Sequence, residues 1–372
     1  PRRARLRTVA ALLLLVVGPA GMFLISNLGS VLRAGAVEES RQDIAVITSA
    51  LAEHINRVLE STSFVADGLA QVILAGGTSL GDDRIFQRVR RVPHLRGWVF
   101  TDRNGEVIEG SAEAMMGLPI GNRPWFADRV QSGARLTLGE PEAGRYLQDG
   151  RSSIAETGRW TIPVSRRVDG PDGELAGYLV MLLNPNYFID VATRGFGDST
   201  SRVRFYSSDG TLIASSDYEI ERIGTRPDGL WFLRDFLPRL DRGLHVGPDG
   251  SGIDAVSGFQ LTEDGLIATE VSRDMAHVLR GANETIFEIR ILGATLLGLF
   301  SLSLVLFWKI SEWSAGKEVA AARAELERDH AARETVLLRE SRERIDQLHA
   351  GLPAVIFTRR VEPDGSSRLL YR

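Results

Sequence analysis

The 372-residue chain contains no cysteine. No disulfide can staple it and no thiolate chemistry is open to it. Lysine is almost missing as well: Lys309 and Lys317 are the only two, and arginine carries nearly all the positive charge. With abundant alanine and glycine, that usage points to a GC-rich bacterial coding sequence. The formal net charge of −4 leaves no basic footprint for nucleic acid. Histidines are few and scattered, at 54, 94, 245, 277, 330 and 349, and never recur at i, i+3 or i+4, so no metal site is indicated. Phosphate-cradling Gly-x-x-x-x-Gly-Lys-Ser/Thr loops and Gly-x-Ser-x-Gly elbows are missing too. Gly250-Ser251-Gly252 reads as a loop, and Asp172 and Asp209 as structural turn residues. The sequence assigns no catalytic residue and no cofactor.

What is present is a layout. Two apolar stretches of helix length, Val9 to Leu28 and Ile291 to Trp308, bracket a long polar segment. A bilayer core of about 30 Å needs about 20 apolar residues in a helix. Arg2, Arg3, Arg5 and Arg7 precede the first stretch and place that end in the cytoplasm; Lys309 and Lys317 beyond the second agree. Trp308 and Trp313 stand at that boundary, where amphipathic rings favour the headgroup layer. A cleaved signal peptide is the rival for the first stretch, with Ala34-Gly35-Ala36 as a small-x-small site, but the apolar run is too long for a typical signal core. The expected organisation is a cytoplasmic basic tail (1–8), a first span (9–29), an extracytoplasmic segment (30–284), a second span (285–309) and a cytoplasmic continuation (310–372), with both termini inside and membrane lipid around the spans. The chain is treated as a fragment, since it opens on Pro1 and stops at Arg372 within what reads as a new domain.

Within 30–75, apolar residues recur at helical spacing, from Ile44, Ile47, Leu51 and Ile55 to Leu69, Val72 and Ile73, with no proline and with Gly76-Gly77 as a stop. The pattern then changes to short β-prone runs around Gly-bearing turns: Asp102–Gly105, Asp169–Gly173, Ser208–Gly210 and Thr262–Gly265. These four hairpins fall into two clusters and predict two similar modules, 76–195 and 196–284. Helical stretches are expected near Asp83–Val92 and Trp231–Leu240. Beyond the second span, Ser311–Leu348 is charged, free of proline and in part heptad-spaced, with a register change across Arg333–Leu337, as in a dimeric signalling helix. His330 lies in it, but the run after it lacks the Glu/Asp-x-x-x-Pro of a phosphoacceptor helix.

Three stretches, in this order and spacing, carry a resemblance: Arg123-Pro124-Trp125-Phe126; Gly158-Arg159-Trp160 through Pro163-Val164-Ser165-Arg166-Arg167-Val168; and Gly173-Glu174-Leu175-Ala176-Gly177-Tyr178-Leu179-Val180. Residues 30–284 resemble double Cache (dCache) sensor domains of bacterial transmembrane receptors. The resemblance implies an α+β fold: two transmembrane helices flanking a long helix and two PAS-like antiparallel α/β modules, followed by a cytoplasmic signalling helix (310–348). It implies a small ligand, a carboxylate or other small metabolite, bound in the membrane-distal module. Arg123, Trp125 and Phe126 match the family's Arg-x-Trp-aromatic arrangement, which suits a carboxylate: a guanidinium grips it bidentately and aromatic rings exclude water. Tyr146, Arg159 and Ser165 are further candidates for the same cavity. Asn184 stands where amino-acid-binding members carry an Asp, and an amide cannot neutralise an ammonium, so the amino-acid reading is weakened. Residues 349–372, with Gly351-Leu352-Pro353 and Pro363-Asp364-Gly365, resemble the truncated start of a PAS domain. The implied role is extracytoplasmic small-molecule sensing in the bacterial inner membrane, as the input half of a sensor histidine kinase and as a homodimer. The alternatives are the input half of a membrane-bound diguanylate cyclase and, in another class, a non-sensing scaffold that dimerises through its long helix.

Overall fold

A computed structural model describes residues 2–76, 89, 91–127, 136–147, 159–195, 200–217, 220–237, 239–351, 358–361 and 367–370. The chain divides into two compact units, Met22–Arg290 and a second formed by Pro1–Gly21 with Ile291–Arg372.

The first unit holds two antiparallel sheets against one helix. Helix α1 (Arg2–Leu74) enters it from the N-terminal side and stops two residues before Gly76, which adopts φ +76°, as the Gly76-Gly77 stop anticipates. Its residues Ile44, Leu51, Ile55, Leu59 and Leu69 repeat on one face and are fully buried. Each such side chain contributes about 1.5–3 kcal/mol on burial. They share one core with Trp98, Val164, Met181, Phe205 and Val256 of the two sheets, so α1 is the spine on which both modules are mounted.

The distal sheet contains β1 (Leu95–Thr101), β2 (Val107–Gly110), β3 (Thr137–Leu138), β4 (Glu142–Ala143), β5 (Trp160–Asp169) and β6 (Leu175–Leu183), in the order β2-β1-β6-β5-β3, with β4 also on β5. The proximal sheet contains β7 (Ser201–Ser207), β8 (Leu212–Ser215), β9 (Arg242–Pro248), β10 (Asp254–Leu261) and β11 (Ile267–Asp274), in the order β8-β7-β11-β10-β9. Connectivity is the same in both: an opening hairpin, the module's last strand beside it, then the strand before that. The repeat is therefore present in topology although the sequence shows little self-similarity. All four predicted hairpins form, and their turn glycines Gly105, Gly173, Gly210 and Gly265 take φ between +72° and +93°, a region that L side chains adopt only at a steric cost.

Helix α2 (Pro124–Ala127) follows β2 and helix α4 (Trp231–Asp235) follows β8; α3 (Pro185–Gly195) links the modules. The helix expected over Trp231–Leu240 ends at Asp235, consistent with Pro238, which disfavours helical backbone in the residue before it. Most of the stretch expected at Asp83–Val92 lies outside the described residues. From β11 the chain passes through α5 (Met275–Val278) into α6 (Arg280–Gly351), which runs unbroken across Arg333–Leu337. The heptad register changes there without any interruption of the helix.

Helices α1 and α6 each contain a stretch long and apolar enough to cross a membrane. Leu292, Leu296, Leu299 and Phe307 of α6 are exposed, as lipid-facing side chains would be. Strands β12 (Thr358–Val361) and β13 (Ser367–Leu370) pair antiparallel.

Candidate functional site

In the distal module, Val99, Tyr178, Val180 and Leu182 form the sheet face turned away from α1, and α2 closes over it. Pro124 opens α2 at the first helical position, where a missing N–H costs nothing. That sets Trp125 and Phe126 side by side on the sheet, both buried. Phe126 meets Trp125 at 5.9 Å and Tyr178 at 5.0 Å between ring centres, edge to face in each case.

Arg123 and Trp125 converge on one acceptor. The Arg123 guanidinium pairs with Glu142 Oε2, and the Trp125 indole Nε1 donates to Glu142 Oε1 at 2.8 Å. Glu142 is delivered by β4, where it pairs with Thr161 of β5. The two groups expected to hold a ligand carboxylate thus hold a carboxylate of the chain itself. The sequence offered one signal for this, a glutamate near Arg123 in number but on a segment without strand periodicity.

The other predicted residues are distributed around this arrangement. Tyr146 packs at the border of the same apolar cluster, with the Arg145 guanidinium 5.5 Å from its ring centre. Ser165 is buried and donates from Oγ to the Thr137 carbonyl at 3.3 Å, which ties β3 to β5. Asn184 follows β6; its Oδ1 accepts from Arg96 Nε at 3.0 Å and from Nη2 at 2.7 Å. Burial and the neighbouring guanidiniums of Arg159 and Arg145 bring Arg96 down to about 10. Arg159, named from the sequence, therefore lies within electrostatic reach of Arg96. Separately, a groove of about 760 Å³ runs beside α1, lined by Phe64 and by the carboxylates of Glu60, Asp67, Glu263 and Asp264, and by none of the predicted site residues.

The proximal module repeats the aromatic motif. Trp231-Phe232 opens α4 at the topological place of Trp125-Phe126, and the Trp231 indole Nε1 donates to Glu270 Oε1 at 2.8 Å. Glu270 lies on β11 and is wholly buried; the Gly250 N–H and the Tyr206 hydroxyl complete its donors, at 3.3 and 3.2 Å. Arg204 on β7 is buried among Glu270 at 3.7 Å, Asp249 at 3.1 Å and Asp217. Arg202 joins Asp249 at 2.8 Å and pairs with Asp274. Burial raises the Glu270 carboxyl above the usual range, only partly offset by Arg204 and the Trp231 hydrogen bond. Asp249 goes the other way: burial would raise it, but Arg204 and hydrogen bonds from Ser251 and Ile253 bring it well below the usual range. Two guanidiniums face four carboxylates, and the strand that bears Glu270 and Asp274 leads to α6. Nothing in the sequence reading singled out this network.

The described residues contain no cluster of metal-ligating side chains. No known family's sequence profile matches the chain, and no curated protein matches it in sequence. Solved structures do. The extracellular domain of rpHK1S-Z16, a protein assigned as a histidine kinase, is similar over 66% of this chain and 98% of its own, with a TM-score of 0.53 and 20% identity. The periplasmic sensory domain of the Campylobacter jejuni chemoreceptor Tlp1 is similar over 66% of this chain and 98% of its own, with a TM-score of 0.49 and 10% identity. The ligand-binding domain of the Pseudomonas aeruginosa PAO1 amino acid chemoreceptor PctB, solved with L-Arg, covers 64% of this chain and 96% of its own, with a TM-score of 0.49 and 12% identity. The first of these shows the fold: two antiparallel modules on a long helix, as in extracellular sensory domains.

Proposed function

We propose that this chain, which carries the α+β fold of double Cache sensory domains, is the input half of a bacterial inner-membrane receptor of the sensor histidine kinase type. Residues 30–284 face outward between spans at 9–29 and 285–309, with both ends of the chain in the cytoplasm. The distal module (76–195) takes a small metabolite against the aromatic face of its sheet, where Trp125, Phe126, Tyr146 and Ser165 lie, with Arg159 and Asn184 as its polar groups beside the Arg123–Glu142 pair. The chain works as a homodimer through α1 and α6, and residues 349–372 open a PAS domain that passes the signal on.

The observation that carries this reading is the continuity of β11, α5 and α6. The last strand of a sensory fold passes through one short helix into a long helix that holds the second apolar stretch and its charged extension. A ligand that favours one of two arrangements of the outer modules would bias that helix by its differential affinity, and by no more than that. The test is a metabolite array read by thermal unfolding of the full chain in lipid nanodiscs, followed by crosslinking along α6 with each hit. The reading expects a hit that stabilises the protein and alters α6 crosslinking. An array without hits, or a hit that leaves α6 unaffected, would favour the scaffold alternative.

A further inference from the structure

The contact between Glu142 and the Arg123–Trp125 donor pair sets the ligand chemistry of the distal module. We infer that Glu142 is a built-in occupant of that seat, and that it excludes free small carboxylates, amino acids and short organic acids included, from the Arg123 clamp. This rests on the sensing role proposed above and narrows it: the module's ligand is recognised without a carboxylate held by Arg123.

Three observations carry the inference. Both donors are engaged, the guanidinium on one oxygen and the indole on the other, so the carboxylate is held as a bound one would be. Arg123 and Glu142 are each 18% exposed, so the pair is shielded, and an incoming carboxylate would have to replace a contact already made at little entropic cost.

The segment that delivers Glu142 is also fixed. Thr137 and Leu138 pair with Ser165 and Val164, the Gly139 N–H donates to the Pro163 carbonyl at 2.7 Å, and Glu142 and Ala143 pair with Thr161 and Trp160. At Gly139 the backbone passes so close to the Trp125 ring that an added Cβ would lie 2.9 Å from it. Glu142 is thus pinned on both sides to β5 and to the ring whose N–H it accepts.

The third observation comes from the proximal module, where a Trp indole likewise donates to an internal glutamate, here supplied by the central strand β11. The Trp231 indole donates to Glu270, and Arg204 stands by the same carboxylate. In each module the indole of the Trp-Phe helix after the opening hairpin donates to an internal glutamate.

The experiment is thermal unfolding of the full chain in nanodiscs with acetate, glycine or glutamate, against sodium chloride at equal ionic strength. Wild type should show no carboxylate-specific shift. Glu142→Ala vacates the seat, and acetate at about ten times its Kd should raise its Tm by about 3–5 °C. That rise should vanish in Arg123→Ala/Glu142→Ala. Glu142→Gln, which keeps the seat filled and the indole satisfied, should fold and stay indifferent to acetate. A wild-type shift that disappears in Arg123→Ala would overturn the inference, and this arm needs no Glu142 variant to fold. So would a Glu142→Ala protein that acetate does not stabilise. A stabilising ligand without a carboxylate would leave both the sensing role and this inference standing; a carboxylate that acts through Arg123 would preserve the sensing role and remove only the inference.

Discussion

Arg204→Met is the most demanding test of how the proximal module is held. The Arg204 side chain is 2% exposed, and those of Asp249 and Glu270 are 0% exposed. Methionine fills much of the volume but leaves two buried carboxylates facing each other. Arg202 still reaches Asp249, at 2.8 Å, so Asp249 keeps one cation while Glu270 loses its own. Breaking a buried pair by removing one partner costs about 3–5 kcal/mol. In a domain of this size about 1 kcal/mol corresponds to 2–4 °C, so Tm should fall by about 6–20 °C. The sign of the pH dependence follows from the two carboxyls. Asp249 has a lowered folded pKa, so its stabilisation is present above its unfolded pKa and is lost as pH falls. Glu270 has a raised one, so it costs stability once pH climbs past its unfolded value and the cost is complete above its folded value. Glu270→Gln should therefore gain on wild type as pH rises through that window, and should recover part of the loss in the Arg204→Met background, a coupling of about 0.5–3 kcal/mol. Unfolding of all four proteins across pH, followed by tryptophan fluorescence, measures this. A loss below about 1 kcal/mol in Arg204→Met, or strict additivity with Glu270→Gln, would refute the network as described.

Two further outcomes are expected. His94 is held neutral by burial and by His54, at about 4 against an ordinary 6.5, so folding stability should fall as pH drops between those values, by an amount on the order of 2 kcal/mol after allowance for partial exposure, and His94→Phe should flatten the profile in that window. At Gly258 on β10 an added Cβ would lie 2.8 Å from Ile44 and 3.0 Å from Thr48 of α1, so Gly258→Val should cost about 1–3 kcal/mol, and Ile44→Ala should recover part of it in the double variant.

Much of this was legible in the sequence because it rests on local rules. The two helices able to cross a membrane follow from length and apolarity. The hairpins follow from glycines at turn ends, where backbone chemistry alone decides. The apolar face of α1 follows from its period. What escaped depends on partners distant in sequence. β9 carries Gly243, Gly247 and Pro248, each unfavourable in a strand, and exists because β10 pairs along its whole length. β4 is two residues long and is defined by β5. Helix α3 went unread although Asn184-Pro185 is a standard opening for one. At the candidate site the donors Arg123 and Trp125 were legible and their acceptor was not, since Glu140 and Glu142 are equivalent until β5 selects one. Glu270 did leave a trace: a charge within the β-prone segment Ile267–Val271 requires a partner once that strand is buried. So did Trp231-Phe232, which repeats Trp125-Phe126 and marks the equivalence of the two modules.

The central claim is that the two-module segment lies outside the membrane while the far part of α6 lies inside. The absence of cysteine from these 372 residues makes it directly measurable, since a thiol introduced into this chain is its only one. Ser208→Cys sits on the exposed turn of the proximal opening hairpin and Ala324→Cys on the exposed surface of α6 past the second apolar stretch. Intact cells treated with a membrane-impermeant maleimide should label position 208 and spare position 324 until the membrane is broken. Equal labelling at both positions in intact cells, or labelling of 324 alone, would contradict the account.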